Sequence, residues 1–129
     1  MSGSYLLDTN IVIAFFSGEP EVVDQFVQAD EILLPSIVLG ELAFGARKSS
    51  RASENLARIE DLSQQVVVLA CDSDTSRQYG AIKNALRLKG RPIPDNDIWI
   101  AAIARQYHLT LVTRDAHFAE VDDVISSIW

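Results

Sequence analysis

Apolar residues along the chain fall into five short runs separated by stretches of helical periodicity. The runs cover residues 5–7, 31–34, 66–69, 110–113 and, with the weakest pattern, 123–125. Several lack the alternation of a half-exposed strand, which suits strands buried on both faces. Between them, residues 9–16 read as a helix capped by Asp8 or Thr9 and closed by Gly18 and Pro20. A second helix starts at Pro20 or Glu21 and ends at Gln28. Pro35-Ser36 opens a third that runs to about Lys48, with Ser36 as its simplest N-cap. Further helical patterns span 51–64, 73–89 (stopped by Gly90) and 94–107, and a short turn of helix can follow Asp115. Strands alternating with helices predict right-handed crossovers and a parallel sheet covered on both sides. In such sheets, ligands bind beyond the carboxyl ends of the strands, so residues that end a strand carry information.

The chain has 129 residues, the size of one domain, and is long enough to bury a core without a disulfide or structural metal. Its single cysteine, Cys71, excludes an internal disulfide and suggests a reducing compartment. Met-Ser-Gly-Ser carries no basic residue, and Asp8 interrupts the apolar run that follows, unlike a secretory leader. No stretch reaches the roughly 18 to 20 apolar residues of a membrane span. The expectation is a soluble, cytoplasmic protein.

The formal net charge of −7 argues at first against a polyanionic partner. Its distribution modifies that view. Residues 1–46 hold seven acids and no Lys or Arg, whereas residues 47–91 hold nine bases and five acids. Lys83, Arg87 and Arg91 recur every four residues beside the apolar row Tyr79, Ile82, Leu86. That stripe reads either as a solvated helix face or as a surface for RNA phosphates or an acidic partner.

Four separated carboxylates stand out. Asp8 ends the first apolar run, and Asp115 follows the fourth, so parallel strands would put both on one rim of the sheet. Each can also serve as a helix N-cap. Glu41 has Ile37, Val38, Phe44 and Gly45 as its neighbours one turn away, an apolar setting in which a charge needs a cation. That cation is Arg47, Arg114 or a metal. Asp95 and Asp97 open the apolar helix Ile98-Trp99-Ile100-Ala101-Ala102-Ile103-Ala104. Acids in a first turn favour the helix dipole, and Asp95, next to Pro94, is the better cap, leaving Asp97 to face the cleft. Carboxylates crowded in one cleft need a counter-charge. With oxygen donors and no cysteine or histidine counted among them, the fitting ion is Mg²⁺ or Mn²⁺.

At these residues the chain resembles PIN-domain proteins, and closely the VapC toxins of type II toxin–antitoxin systems. The matching motifs are Leu6-Leu7-Asp8-Thr9-Asn10, Pro35-Ser36-Ile37-Val38-Leu39-Gly40-Glu41-Leu42, Asp97-Ile98-Trp99-Ile100-Ala101-Ala102 and Leu111-Val112-Thr113-Arg114-Asp115-Ala116-His117-Phe118. Each is short, but their order covers nearly the whole chain. The resemblance implies one domain over residues 1–129, a three-layer α/β/α sandwich with a mainly parallel sheet of about five strands. It also implies a Mg²⁺-dependent endoribonuclease that hydrolyses RNA phosphodiesters through metal-activated water, leaving a 5′-phosphate and a 3′-hydroxyl. Asp8, Glu41, Asp97 and Asp115 match the family's acidic positions, with Asp8, Asp97 and Glu41 as metal ligands. It leaves open whether Asp115 touches the metal. Thr9, Asn10 and Thr113 match supporting polar positions. A homodimer and inhibition by a VapB-type antitoxin, whose C-terminal tail enters the active-site groove, are further implications.

The other chemistry-bearing residues are less pointed. Arg114 can contact RNA or neutralise a neighbouring acid. His117 reads as a surface or helix-start histidine, His108 carries no signal, and Cys71 reads as an inert thiol. Trp99 suits the core or a dimer contact, and Trp129 suits packing back on the domain. A dehalogenase-like phosphatase would need an acid two residues after Asp8, where Asn10 stands. A receiver domain would need an acid after the middle strand, where Ala70 and Cys71 stand, and a lysine after the last. A PIN scaffold that binds RNA or protein without cleaving is the remaining rival.

Overall fold

A computed structural model describes residues 3–129. Its elements run β1 (Ser4–Leu7), α1 (Thr9–Phe16), α2 (Pro20–Gln28), β2 (Glu31–Pro35), α3 (Ser36–Lys48), α4 (Ala52–Gln65), β3 (Val67–Leu69), α5 (Ser73–Lys89), α6 (Asp95–Tyr107), β4 (Thr110–Val112), a 3-10 turn (Ala116–Glu120) and β5 (Ser126–Ser127). The five strands form one sheet in the order β3-β2-β1-β4-β5, every pair parallel. Six helices flank it in a PIN-like α/β/α sandwich, as expected.

The centre of the sheet explains why the apolar runs do not alternate. Successive strand residues point to opposite faces. In β1 both Leu6 and Leu7 are buried, and so are Leu33 and Leu34 in β2 and Leu111 and Val112 in β4. Both faces are therefore covered, as the sequence pattern predicts for these three strands. The edge strand β3 departs from that expectation: Val67 and Val68 are 41% and 38% exposed, at the outer strand of the sheet, which pairs on one side only. The fifth strand is also displaced, to Ser126–Ser127 rather than 123–125. Asp123 has a left-handed backbone (φ 62°), which ends any extended run through it, and β4 pairs instead with the segment beyond.

Helix α6 is the inner helix, with Ile98, Ile100, Ala101, Ala102, Ile103 and Ala104 all buried. Ile82 and Leu86 of α5 are also buried in this core. Local chemistry fixes the ends of α5. Asp72 accepts from the Thr75 N–H while the Thr75 hydroxyl accepts from the Asp72 N–H, and Gly90 closes the helix at φ 68°. Ser36 is the first residue of α3 rather than its cap. The cap position is Pro35, which offers no side-chain acceptor but presets the turn out of β2.

The chain runs from β1 outward to β2 and β3, then crosses back to place β4 on the other side of β1. The connections leaving β1 and β4 therefore part in opposite directions, opening a crevice at the carboxyl ends of these two strands. Asp8 follows β1 directly, and Thr113-Arg114-Asp115 follows β4. The backbone N–H of Asp8 donates to Val112 O at 3.0 Å, which locks the two strand ends together.

Candidate active site

Asp8 is 5% exposed and held on three sides. Its carboxylate accepts from the Thr9 N–H (2.8 Å), the buried Thr113 hydroxyl (2.7 Å) and, at 3.4 Å, the Asn10 amide. The cap reading of Asp8 is thus realised by one oxygen, which caps α1, while the other accepts from Thr113. Thr9 links this residue to the next: its hydroxyl donates to Glu41 Oε1 at 2.8 Å. Thr113 does the same on the other side, accepting from the Asp115 N–H at 3.0 Å. Asn10 accepts the Arg114 N–H at 3.2 Å, fixing the turn after β4. The three polar residues expected to support the acids all touch them or their turn.

Asp97, in the first turn of α6, is half-buried and faces the same cleft. Burial pushes its carboxyl above the ordinary carboxylate range, and the nearby charges of Asp115 and Glu41 push it further. The Asp8 carboxyl is raised as well, chiefly by burial, against the pull of its bonds to Thr113 and Thr9; the charges of Asp97 and Glu41 add to the rise. Among the described residues no Lys or Arg pairs with Asp8, Glu41, Asp97 or Asp115. Four acids in one cleft with no Lys or Arg paired to them are an oxygen donor set for a hard divalent cation. On that chemistry the residues fit such an ion.

Glu41 differs from its sequence-based description. It is half-buried, and Phe44 on the next turn is 64% exposed, so its setting is an open apolar groove rather than a core. The groove, of about 320 Å³, runs between α1, α3 and α4 and is lined by Ile13, Phe16, Leu42 and Ile59, with Glu41 and Arg58 as its charged members. Neither cation proposed for Glu41 reaches it: Arg114 is clamped to Glu19 at 2.8 and 3.2 Å, and Arg47 is exposed. Arg114 thus neutralises Glu19, which it holds below the usual carboxylate range, and also donates to the Trp129 carbonyl. Trp129 packs its ring edge-on against Tyr5, as expected of a tail that folds back.

Asp95 is not a helix cap. Pro94 holds that position, and Asp95 instead accepts from Lys83 Nζ and Tyr79 OH, both at 3.0 Å. Lys83 is consumed in this pair, and Arg87 donates to Asn84 at 2.8 Å, while Arg91 is exposed. Trp99 is half-buried and stacks on Tyr79 with ring centroids 4.0 Å apart. Cys71 is exposed, with its thiol raised by desolvation and by Asp72, in keeping with an inert group.

The residue that sequence reasoning missed is His117. Its Nδ1 lies 3.0 Å from Asp97 Oδ2 and 3.1 Å from Asp115 Oδ1. The Asp97 hydrogen bond raises its imidazole above the ordinary histidine value, and both acids favour its charged form. The only signal in the sequence was its position two residues after Asp115, and the contact with Asp97 needs the 3-10 turn to exist.

A sheet with this switch point and this acidic rim defines a class. The PIN domain profile matches residues 5–124, and the chain belongs to the PIN-domain family. It is similar to Ribonuclease VapC2 of Haemophilus influenzae, 39% identical over 113 residues, which is 86% of each chain. The tRNA(fMet)-specific endonuclease VapC of Shigella flexneri is 32% identical over 128 residues, 97% of each chain. Among solved structures, DNA-bound VapBC from Salmonella typhimurium superposes with a TM-score of 0.91 at 28% identity, covering 100% of this chain and 99% of that one.

Proposed function

We propose that the protein is a VapC-like endoribonuclease toxin: one PIN domain over residues 1–129 that hydrolyses RNA phosphodiester bonds with Mg²⁺, or Mn²⁺, and is neutralised by a VapB-type antitoxin. The observation that carries the reading is the convergence of Asp8, Glu41, Asp97 and Asp115 at the strand ends with no Lys or Arg among them. Asp8, Glu41 and Asp97 are the residues that would hold the ion. When bound, the ion supplies an activated water and offsets charge developing on the scissile phosphate.

The chain's own groups do the rest. The Thr9 and Thr113 hydroxyls donate to Glu41 and Asp8 and orient these carboxylates, and the Thr113 bond opposes the protonation of Asp8 that burial favours. Asp115 receives the His117 N–H at 2.9 Å and starts the 3-10 turn, so it shapes the wall of the cleft opposite Glu41. The groove beside Glu41 offers an apolar surface with one acid and one Arg at its mouth, which suits an antitoxin segment of mixed character. Function as a homodimer in the cytoplasm completes the proposal. No helix among the described residues is long and apolar enough to cross a membrane.

The test is cleavage of RNA by the purified full chain with Mg²⁺, with EDTA, and by Asp8→Asn and Asp97→Asn variants. Initiator tRNA is the first substrate to try, given the name of the Shigella relative. Cleavage that survives EDTA or both substitutions would overturn the mechanism. Co-expression with the neighbouring upstream reading frame is expected to relieve growth arrest.

A further inference from the structure

We infer that His117 is a nitrogen ligand of the metal centre and gives the site a preference for Mn²⁺ over Mg²⁺. The inference rests on the metal-dependent reading above and concerns which donors the ion meets. His117 is the one histidine at this rim; the other, His108, is exposed and ends α6 at its far terminus.

The placement of the ring is built rather than accidental. The Asp115 carboxylate accepts the backbone N–H of His117 at 2.9 Å, which fixes the start of the turn. One residue on, Phe118 is 1% exposed and anchors that turn in the core. The imidazole is thereby held over Asp97 rather than free to sweep through solvent, though half its surface stays open on the cleft side.

The spacings match a coordination shell. In an octahedral site with metal–ligand bonds of about 2.1 Å, adjacent donors stand about 3.0 Å apart. The Nδ1 atom lies 3.0 Å from Asp97 Oδ2 and 3.1 Å from Asp115 Oδ1. Ligand atoms of all three residues lie within 4.8 Å of one another. An ion that takes Asp97 as a ligand on the side of Asp115 would meet this nitrogen beside it. Any proton carried on Nδ1 leaves to solvent as the nitrogen lone pair takes the ion.

The donor type then sets the selectivity. Mg²⁺ takes oxygen ligands and parts from its waters reluctantly, so an added imidazole gains it little. Mn²⁺ accepts imidazole together with carboxylates and benefits from it. The same reasoning makes Asp115 a neighbour of the ion through His117 even if it makes no bond of its own.

The test uses the full-length, tag-free protein. Mn²⁺ and Mg²⁺ affinities are measured by calorimetry for wild type, His117→Gln and Asp8→Asn. Pulsed electron paramagnetic resonance of bound Mn²⁺ reports coordinated nitrogen directly. Wild type is expected to show imidazole ¹⁴N modulation that His117→Gln lacks, with Mn²⁺ affinity falling about tenfold or more and Mg²⁺ affinity changing less than about threefold. Far-UV circular dichroism of the variant establishes that it is folded. Mn²⁺ bound without a nitrogen signal, or equal losses for the two ions, would overturn the inference and leave the metal-dependent reading standing. Wild-type protein that binds neither ion would overturn both.

Discussion

Two clusters of charge in this molecule look alike in the sequence and are opposite in the structure. Along α5 and its neighbours three acids meet bases: Asp74 pairs with Arg77, Asp95 with Lys83 and Asp122 with Lys89. These pairs are largely exposed, and bonding to Lys83 holds the Asp95 carboxyl below its ordinary range. At the β1/β4 rim, four acids share one cleft, no Lys or Arg enters it, and burial holds Asp8 and Asp97 above the ordinary range. The first arrangement satisfies itself; the second has only the His117 imidazole, against Asp97 and Asp115, and leaves Asp8 and Glu41 to the proposed cation. Charge compensation, more than the number of charges, separates a solvated face from a site.

The largest test of that contrast is chemical. Asp8→Asn and Asp97→Asn are expected to lower RNA cleavage by at least about a thousandfold, because each removes a ligand without changing shape. Lys83→Ala, removing a base from the satisfied cluster, is expected to leave the cleavage rate within about threefold. Equal losses from both substitutions would erase the distinction.

The next effect is on stability and has an unusual sign. Mg²⁺ at ten times its Kd should stabilise the wild type by about 1.4 kcal/mol, seen as a rise of a few degrees in Tm. Asp8→Asn is expected to abolish that rise, yet to melt no lower than the metal-free wild type, since the ionic cost of the buried carboxylate disappears with it. A variant that melts well below the metal-free wild type would show that Asp8 is structural first.

Thr113→Val comes third. It removes the donor to Asp8 and the acceptor for the Asp115 N–H while keeping the side chain's shape. Metal affinity measured by calorimetry is expected to fall about tenfold, in line with loss of a group that orients a ligand.

The smallest effect is a pH slope. Asp8 and Asp97 have raised pKa values when folded, so the metal-free fold binds more protons there than the unfolded chain does. Their contribution to stability is present below the unfolded carboxylate pKa and is lost as pH rises through the folded values. Asp72, Asp95 and Glu19 are lowered, so theirs is present above the unfolded value and is lost as pH falls through the folded values. Denaturant titrations of metal-free wild type and Asp8→Asn across the acidic range should therefore differ in slope, the variant gaining relative stability as pH rises. Parallel curves would mean that the Asp8 carboxylate carries no such cost.

What the sequence made legible was whatever depends on neighbours along the chain. Asp8 and Asp115 could be placed because strand ends are marked by apolar runs, and the parallel order put both on one rim. The inner helix was visible in the unbroken apolar stretch after Asp97. Contacts across the fold were not visible. The partner of Arg114 is Glu19, 95 positions away, and Lys83 reaches Asp95 because α5 and α6 lie side by side. The fifth strand was misplaced because the left-handed Asp123 outweighs the strand propensity of Val124 and Ile125. Glu41 was singled out for its apolar neighbours, which turned out to line a groove open to solvent rather than a core. His117 stayed hidden because its contact with Asp97 needs the 3-10 turn that Asp115 caps and Phe118 anchors.

The hydrogen bond from Thr113 to Asp8 joins residues 105 positions apart. During synthesis Asp8 leaves the ribosome well before β4 and the Thr113 it must meet. An incomplete chain can build β1 to β3 and their helices while lacking β4 and the wall of its cleft. On the function proposed, the nascent polypeptide is inactive until β4 has been made, and any partner that must restrain it has that interval in which to arrive.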